Sequence, residues 1–171
     1  MEELLKQAKK AAEEAEVFSV SRSETDAVFE ANRLKQVVTR ETSGRALRLI
    51  KEGRIGFSAT NKVNGAKELV EMALEMAPFG AEAKFEFPPL AHYPRVEVYD
   101  SQVEKVSEER MVELGQSLID KVRAHTPEVV CQGGVSKNTV AVDIWNSRGG
   151  RATYKKSVFS LGVEGVLIRG T

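Results

Sequence analysis

The chain has 171 residues, 42% of them hydrophobic and 29% charged, with 25 Lys+Arg against 25 Asp+Glu for a formal net charge of zero. That composition suits a soluble globular domain with a core of its own, and the balanced charge gives no bulk attraction to nucleic acid or membrane. No apolar run nears the length of a membrane span, the opening MEELLKQAKKAAEEAE lacks the apolar segment of a signal peptide, and the single Cys131 makes no internal disulfide, so a cytoplasmic protein is expected.

Leu4, Leu5, Ala8, Ala11, Ala12 and Ala15 fall at helical spacing and predict an amphipathic helix over 2–15. From Val17 the period becomes two. Residues 17–21 and 27–31 read as strands, with Ser23-Glu24-Thr25 as the turn between them and Asn32 as the turn after them. A third strand is expected over 34–42 and a fourth over 46–50, joined at Ser43-Gly44.

The stretch SGRALRLIKEGRIGFSATN, residues 43–61, has the look of a phosphate loop but not its grammar. A phosphate loop opens a helix whose amides face the ligand. Here Glu52-Gly53 separates two β-patterned runs, which signals a hairpin. Ile55, Phe57 and Ala59 would form the apolar face of the returning strand, leaving Ser58 on the other face and dispensable to stability. Gly56 within that strand marks a bulge or a close backbone approach.

Asn61 or Asn64 is expected to cap the next helix, whose stripe is Leu69, Val70, Ala73, Leu74 and Ala77 and whose end is Pro78 with Gly80. Residues 80–95 hold Pro88, Pro89 and Pro94 and read as a surface connection, in which Phe85, Phe87, Leu90 and Tyr93 can pack. Ser107 then caps the strongest predicted helix, with Glu108 and Glu109 in its first turn and Met111, Leu114, Gly115, Leu118, Ile119 and Val122 along one side. His125-Thr126-Pro127 ends it. Strands are expected over 128–136, 139–146 and 152–168, separated by Lys137-Asn138 and Arg148-Gly149-Gly150. The class is α+β, a mostly antiparallel sheet of β-hairpins with about three packed helices, in one domain.

Chemistry is harder to find. His92 and His125 each sit near a proline without a second ligand at helix spacing, so no zinc pattern forms and both read as solvated or helix-ending side chains. Cys131 follows Val129-Val130 in a strand pattern and reads as a buried structural thiol. Glu13-Glu14 and Glu108-Glu109 read as solvated charges. Trp145 beside Asn146-Ser147 is either a contact surface or packed under a helix. Arg54, Arg151, Lys155 and Lys156 would make a basic patch without the interleaved aromatics of a single-strand groove. The residues alone define no catalytic and no metal-binding constellation.

Four segments carry a resemblance. Phe29-Glu30-Ala31-Asn32-Arg33-Leu34-Lys35-Gln36-Val37 resembles the F-E-N-G-R-L-E-x-V segment of the TldD/PmbA family, and Gly44-Arg45-Ala46-Leu47-Arg48 its following G-x-G-x-R-V strand. Residues 53–61, from Gly53 through Gly56 to Asn61, are similar to its G-R-x-G-F-A-S-T-N segment. Asn146-Ser147-Arg148-Gly149 with Tyr154 to Ser157 resembles its N-S-x-G-x-x-x-x-Y-x-x-T hairpin. The resemblance implies the N-terminal domain, closer to the PmbA type, of zinc-dependent peptidases also called modulators of DNA gyrase. The family's His-Glu-x-x-x-His motif belongs to a C-terminal domain, and no stretch of this sequence matches it. Accordingly no catalytic or metal residue carries over, no cofactor is expected in this chain, and zinc is expected only with a TldD-type C-terminal domain. Asn32, Arg45, Gly53, Gly56, Asn61, Asn146, Ser147 and Gly149 are the motif positions, structural or substrate-facing.

The resemblance further implies three partners: the C-terminal domain, a second family subunit, and a peptide substrate reached through a chamber that this domain helps to wall. Nucleic acid and membrane are not expected as partners. The ending at Gly170-Thr171 suits a chain cut at a domain boundary, with weak self-association through the last strand and the proline-rich connection. The second reading is a free-standing module that binds a peptide or protein without proteolysis.

Overall fold

A computed structural model describes residues 1–62 and 65–168. The elements are α1 (Glu2–Ala8), β1 (Glu14–Glu30), β2 (Arg33–Lys51), β3 (Arg54–Thr60), α2 (Ala66–Met76) running into a 3₁₀ turn (Ala77–Phe79), α3 (Ser101–Lys105), α4 (Glu108–His125), β4 (Val130–Asn146) and β5 (Arg151–Val166). The strands form one antiparallel sheet in the order β3-β2-β1-β4-β5, so the fold is α+β and dominated by its sheet. No helix among the described residues is long and apolar enough to cross a membrane.

The chain divides into two compact units, and the long strands contribute to each. The first comprises Met1–Ser21, Thr42–Glu97 and Ala141–Lys155. Its core is built from Leu4, Val17, Leu47, Leu49, Leu69 and Ala73, which come from α1, β1, β2 and α2. The second comprises Arg22–Glu41, Val98–Val140 and Lys156–Thr171. There Phe29, Met111, Ile119, Cys131 and Val135 bury one another, with Phe159 and Val163 of β5 packed against them.

Two hairpins turn on two residues each. Ala31 and Asn32 have φ of 51° and 69°, and Glu52 and Gly53 have 51° and 69°. Positive φ at both central residues gives a turn twist that matches paired strands. From the second turn, β3 returns along β2 in a register running from Lys51↔Arg54 to Arg45↔Thr60.

Several expected boundaries move. The first helix stops at Ala8, because Ala15 and Val17 alternate as buried strand residues and the chain must already be extended there. The expected turns at Ser23-Glu24-Thr25, Ser43-Gly44 and Lys137-Asn138 lie inside the continuous strands β1, β2 and β4. None of these residues has the positive φ that the real turns use. Helix α2 has Gly65 at its N-cap without a side-chain bond, so Asn61 does not cap it, and Asn64 lies outside the described residues. Gly170 and Thr171 also lie outside them. The short helix α3, unforeseen in the sequence, is capped by Asp100, whose carboxylate accepts from the Gln102 amide at 2.8 Å. Ser107 caps α4 as expected, accepting from the Arg110 amide at 3.2 Å.

Candidate functional site

In the first unit the start of β1 ties together segments far apart in sequence. The Glu13 carboxylate accepts from the amides of Glu52 at 2.7 Å and Gly53 at 3.2 Å, clasping the hairpin turn from outside. Glu14 accepts from the Phe87 amide at 2.9 Å and lies 3.6 Å from Arg148. Ala15 exchanges bonds with Ser147: its amide donates to Ser147 Oγ at 3.0 Å, and its carbonyl accepts from the Ser147 amide at 2.8 Å. Glu16 accepts from Arg48 at 2.8 Å. The Arg48 guanidinium also lies 5.1 Å from the ring centroids of both Phe85 and Phe87, a cation–π clamp that helps hold Phe87 in the core. Glu13 and Glu14 are therefore not on a helix as expected, and of the two only Glu13 stays exposed, Glu14 being half-buried. They satisfy backbone amides that a turn and a loop would otherwise leave unpaired.

The β4–β5 turn is built on the buried side chain of Asn146. Its Oδ1 accepts from the amides of Arg148 at 3.0 Å and Gly150 at 2.9 Å, and its Nδ2 donates to the Pro88 carbonyl at 2.8 Å. Gly149 has φ of 89°, in the region that favours glycine. Arg148 bonds Glu86, and that hydrogen bond, followed by the charges of Glu86 and Glu14, raises its pKa above the ordinary value. The Trp145 ring lies under the Arg151 guanidinium, 4.2 Å from ring centroid to Cζ.

The β3 face expected to be apolar is reversed. Gly56 and Ser58 are buried and Phe57 is 57% exposed. The reason is the closeness of α2. A Cβ on Gly56 would collide with the carbonyl oxygen of Ala73, and Ser58 Oγ donates to the Leu69 carbonyl at 2.6 Å. Gly56 is thus a close approach and not a bulge.

In the second unit Asn32 accepts from the Cys131 amide at 2.7 Å through Oδ1, while its own amide donates to the Cys131 carbonyl at 3.0 Å. Gln116 donates to the Asn32 carbonyl at 3.3 Å. The β1–β2 turn is thereby pinned to the start of β4.

Of the eight motif positions, Gly53, Gly56, Asn146, Ser147 and Gly149 form turns and close contacts in the first unit, and Asn32 does so in the second. Arg45 is half-buried on β2, paired with Thr60 in the ladder, and Asn61 is exposed beyond β3. The Glu13–Glu16 anchors and the Arg48 clamp were missed in the sequence. The one signal pointing to them is the alternation that begins at Ala15, which makes residues 13–16 an extended segment. Among the described residues no three His, Cys, Asp or Glu side chains gather as a metal set. The chemistry of the arrangement is positioning: it fixes the ends of three hairpins and one proline-rich loop.

A sheet-dominated α+β domain with its turns stapled by asparagine, serine and glutamate is the class so defined. Residues 15–77 match the family model described as PmbA/TldA metallopeptidase domain 1. Over that segment the chain is similar to the first domain of the PmbA/TldD proteins. Three of the four resembling segments fall inside it, and the fourth, at 146–157, lies beyond. Solved structures share the fold. A modulator of DNA gyrase from Thermotoga maritima superposes with a TM-score of 0.81 at 17% identity, covering 91% of this chain and 36% of its own. TldE from Thermococcus kodakarensis gives 0.78 at 20%, covering 96% and 42%. A modulator of DNA gyrase from Bacteroides thetaiotaomicron gives 0.83 at 17%, covering 99% and 41%. The chain therefore spans well under half the length of these proteins. No curated protein matches it.

Proposed function

We propose that this chain serves as the non-catalytic N-terminal domain of a TldD/PmbA-like metallopeptidase of the cytoplasm, giving peptides access to a catalytic centre supplied by other parts and contributing to subunit assembly. The family match over residues 15–77 carries the reading. The sequence supports its non-catalytic part, since its two histidines do not form a His-Glu-x-x-x-His motif. Zinc would enter with a TldD-type C-terminal domain. The buried free thiol of Cys131 suits a reducing compartment.

The sheet supports the peptide-handling part. β5 is an outer strand of 16 residues. Ser157 donates outward to the Val98 carbonyl at 3.0 Å, and the alternation of an antiparallel strand then turns the main-chain groups of Phe159, Leu161, Val163 and Gly165 the same way. An extended peptide laid along them gains main-chain hydrogen bonds and presents alternate side chains. The other outer strand, β3, suits this less, because Ile55 and Gly53 already bond Ala81 and Ala83.

Fluorescence anisotropy with a labelled, unstructured peptide and the full chain tests the proposal. The expected result is binding that weakens when alternate peptide amides are N-methylated, with the peptide recovered intact in the presence of zinc. Chelator-sensitive cleavage by the chain alone contradicts the non-catalytic assignment, and failure to bind any peptide contradicts the access role.

A further inference from the structure

In the second unit the outer edge of β5 is open and unguarded. Phe159 and Val163 pack their side chains into the core of that unit, and a Cβ on Gly165 would meet Val129 and Cys131. The alternation therefore runs unbroken, and the main-chain groups of Phe159, Leu161, Val163 and Gly165 all face outward. Among the described residues no other segment bonds them, whereas the outward residue before them, Ser157, gives its amide to the Val98 carbonyl. Open edges are ordinarily blunted by lysine, proline or a bulge. Residues 157–166, SVFSLGVEGV, hold no lysine, no proline and one charge, Glu164, whose Oε1 accepts from Gln132 Nε2 at 2.6 Å.

We infer that this edge pairs with the same edge of a second copy of the chain, antiparallel, about a two-fold axis at Gly162. On that centre Phe159 stands opposite Gly165 of the second copy, and Leu161 opposite its Val163. Every free outward residue then meets another, and each pair exchanges both main-chain bonds. Moving the centre to Leu161 sets Gly165 against Ser157, whose amide is already spent. Moving it to Val163 sets Phe159 against Leu167, beyond the end of β5. The side chains agree with the Gly162 centre. One face sets exposed Val158 against exposed Val166, and Ser160 against Glu164, whose second oxygen accepts the hydroxyl. On the other face the Phe159 ring borders Gly165, a glycine that an aromatic neighbour covers. At the axis glycine meets glycine, and a Cβ on Gly162 would find no atom within 4 Å, so nothing holds the strands apart. The contact of two strand edges is small beside the roughly 1,600 Å² of a stable interface, so it forms and parts with concentration. This pairing goes beyond peptide handling, but it uses the same edge, so a bound peptide and a second copy exclude each other.

Disulfide trapping in the full chain tests the register. Gly162→Cys sets two thiols opposite each other across the axis, at a pair whose Cα atoms stand about 4.5 Å apart, within disulfide reach. In Ser160→Cys the two thiols fall on opposite sides of the axis and out of reach. The native Cys131 is buried and takes no part. Under mild oxidation Gly162→Cys should form covalent dimer at least about tenfold faster than Ser160→Cys at the same concentration, and equal rates overturn the register. Sedimentation velocity reads the same contact without a new thiol. The average should rise with concentration for the unsubstituted chain. Leu161→Lys places a guarding charge at an exposed position and leaves the urea midpoint near that of the unsubstituted chain; it should raise the dimer dissociation constant at least about tenfold. A chain that stays monomeric throughout, or association that survives Leu161→Lys, overturns the pairing and leaves the peptide-handling reading standing.

Discussion

Ser58 shows how much one side chain depends on what covers it. Its hydroxyl donates to the Leu69 carbonyl in a buried setting, so Ser58→Ala leaves a helix carbonyl without that partner. The expected loss is about 1–2 kcal/mol in urea denaturation, where the sequence alone suggested none. Asn32 does two jobs, since it adopts the left-handed conformation and holds the Cys131 amide. Asn32→Ala should cost about 2 kcal/mol by the same measurement, the sum of a lost bond and a strained alanine. At the start of α4 the bond of the Glu109 carboxyl to its own amide, and then the Ser107 hydroxyl, lower its pKa from 4.5. A lowered carboxyl pKa stabilises the fold above the unfolded value, and that contribution is lost as pH falls through the folded one. Ser107→Ala should therefore move the Glu109 midpoint back toward 4.5 in an NMR titration, and the lost cap should cost about 1 kcal/mol.

At the scale of elements, the hairpins at 31–32 and 52–53 were legible because their turn residues interrupt alternation at places where the chain must reverse. The false turns inside β1, β2 and β4 were polar for another reason. Thr25 is buried against Thr39, and Arg22 and Glu24 pair at 2.6 Å, so polar residues here continue the strand on its faces. Composition cannot separate a polar strand centre from a turn when backbone dihedrals decide. The helices α2 and α4 were legible from their stripes, whereas the inverted face of β3 was not, because Gly56 has no side chain to register in a hydrophobic pattern. Gly56→Ala tests that close approach. The added methyl meets backbone and not a movable side chain, so the expected cost is about 3 kcal/mol, read as a lowered thermal midpoint. A neutral substitution would contradict the packing of α2 on β3.

At the scale of the whole molecule, sequence pattern supplied strands without their neighbours. Only the structure sets β1 beside β4 and brings residues 13–16 against 52–53, 86–88 and 146–148, contacts that span up to 132 positions. The site was correspondingly half-visible: the motif residues were named, while the glutamates that anchor them were not. Exposed Leu90, Tyr93 and Leu161 leave apolar surface that favours weak, concentration-dependent association, although Phe87 is buried and Phe159 and Val163 are packed. Sedimentation velocity over a hundredfold dilution should show a shifting average, and added peptide should suppress it if both compete for β5. The most direct measurement of the central claim is amide hydrogen exchange on the full chain with and without saturating unstructured peptide. Exchange should slow at Phe159, Leu161, Val163 and Gly165 and stay unchanged at Leu47 and Leu49. Saturation with no slowing along β5 would contradict the account.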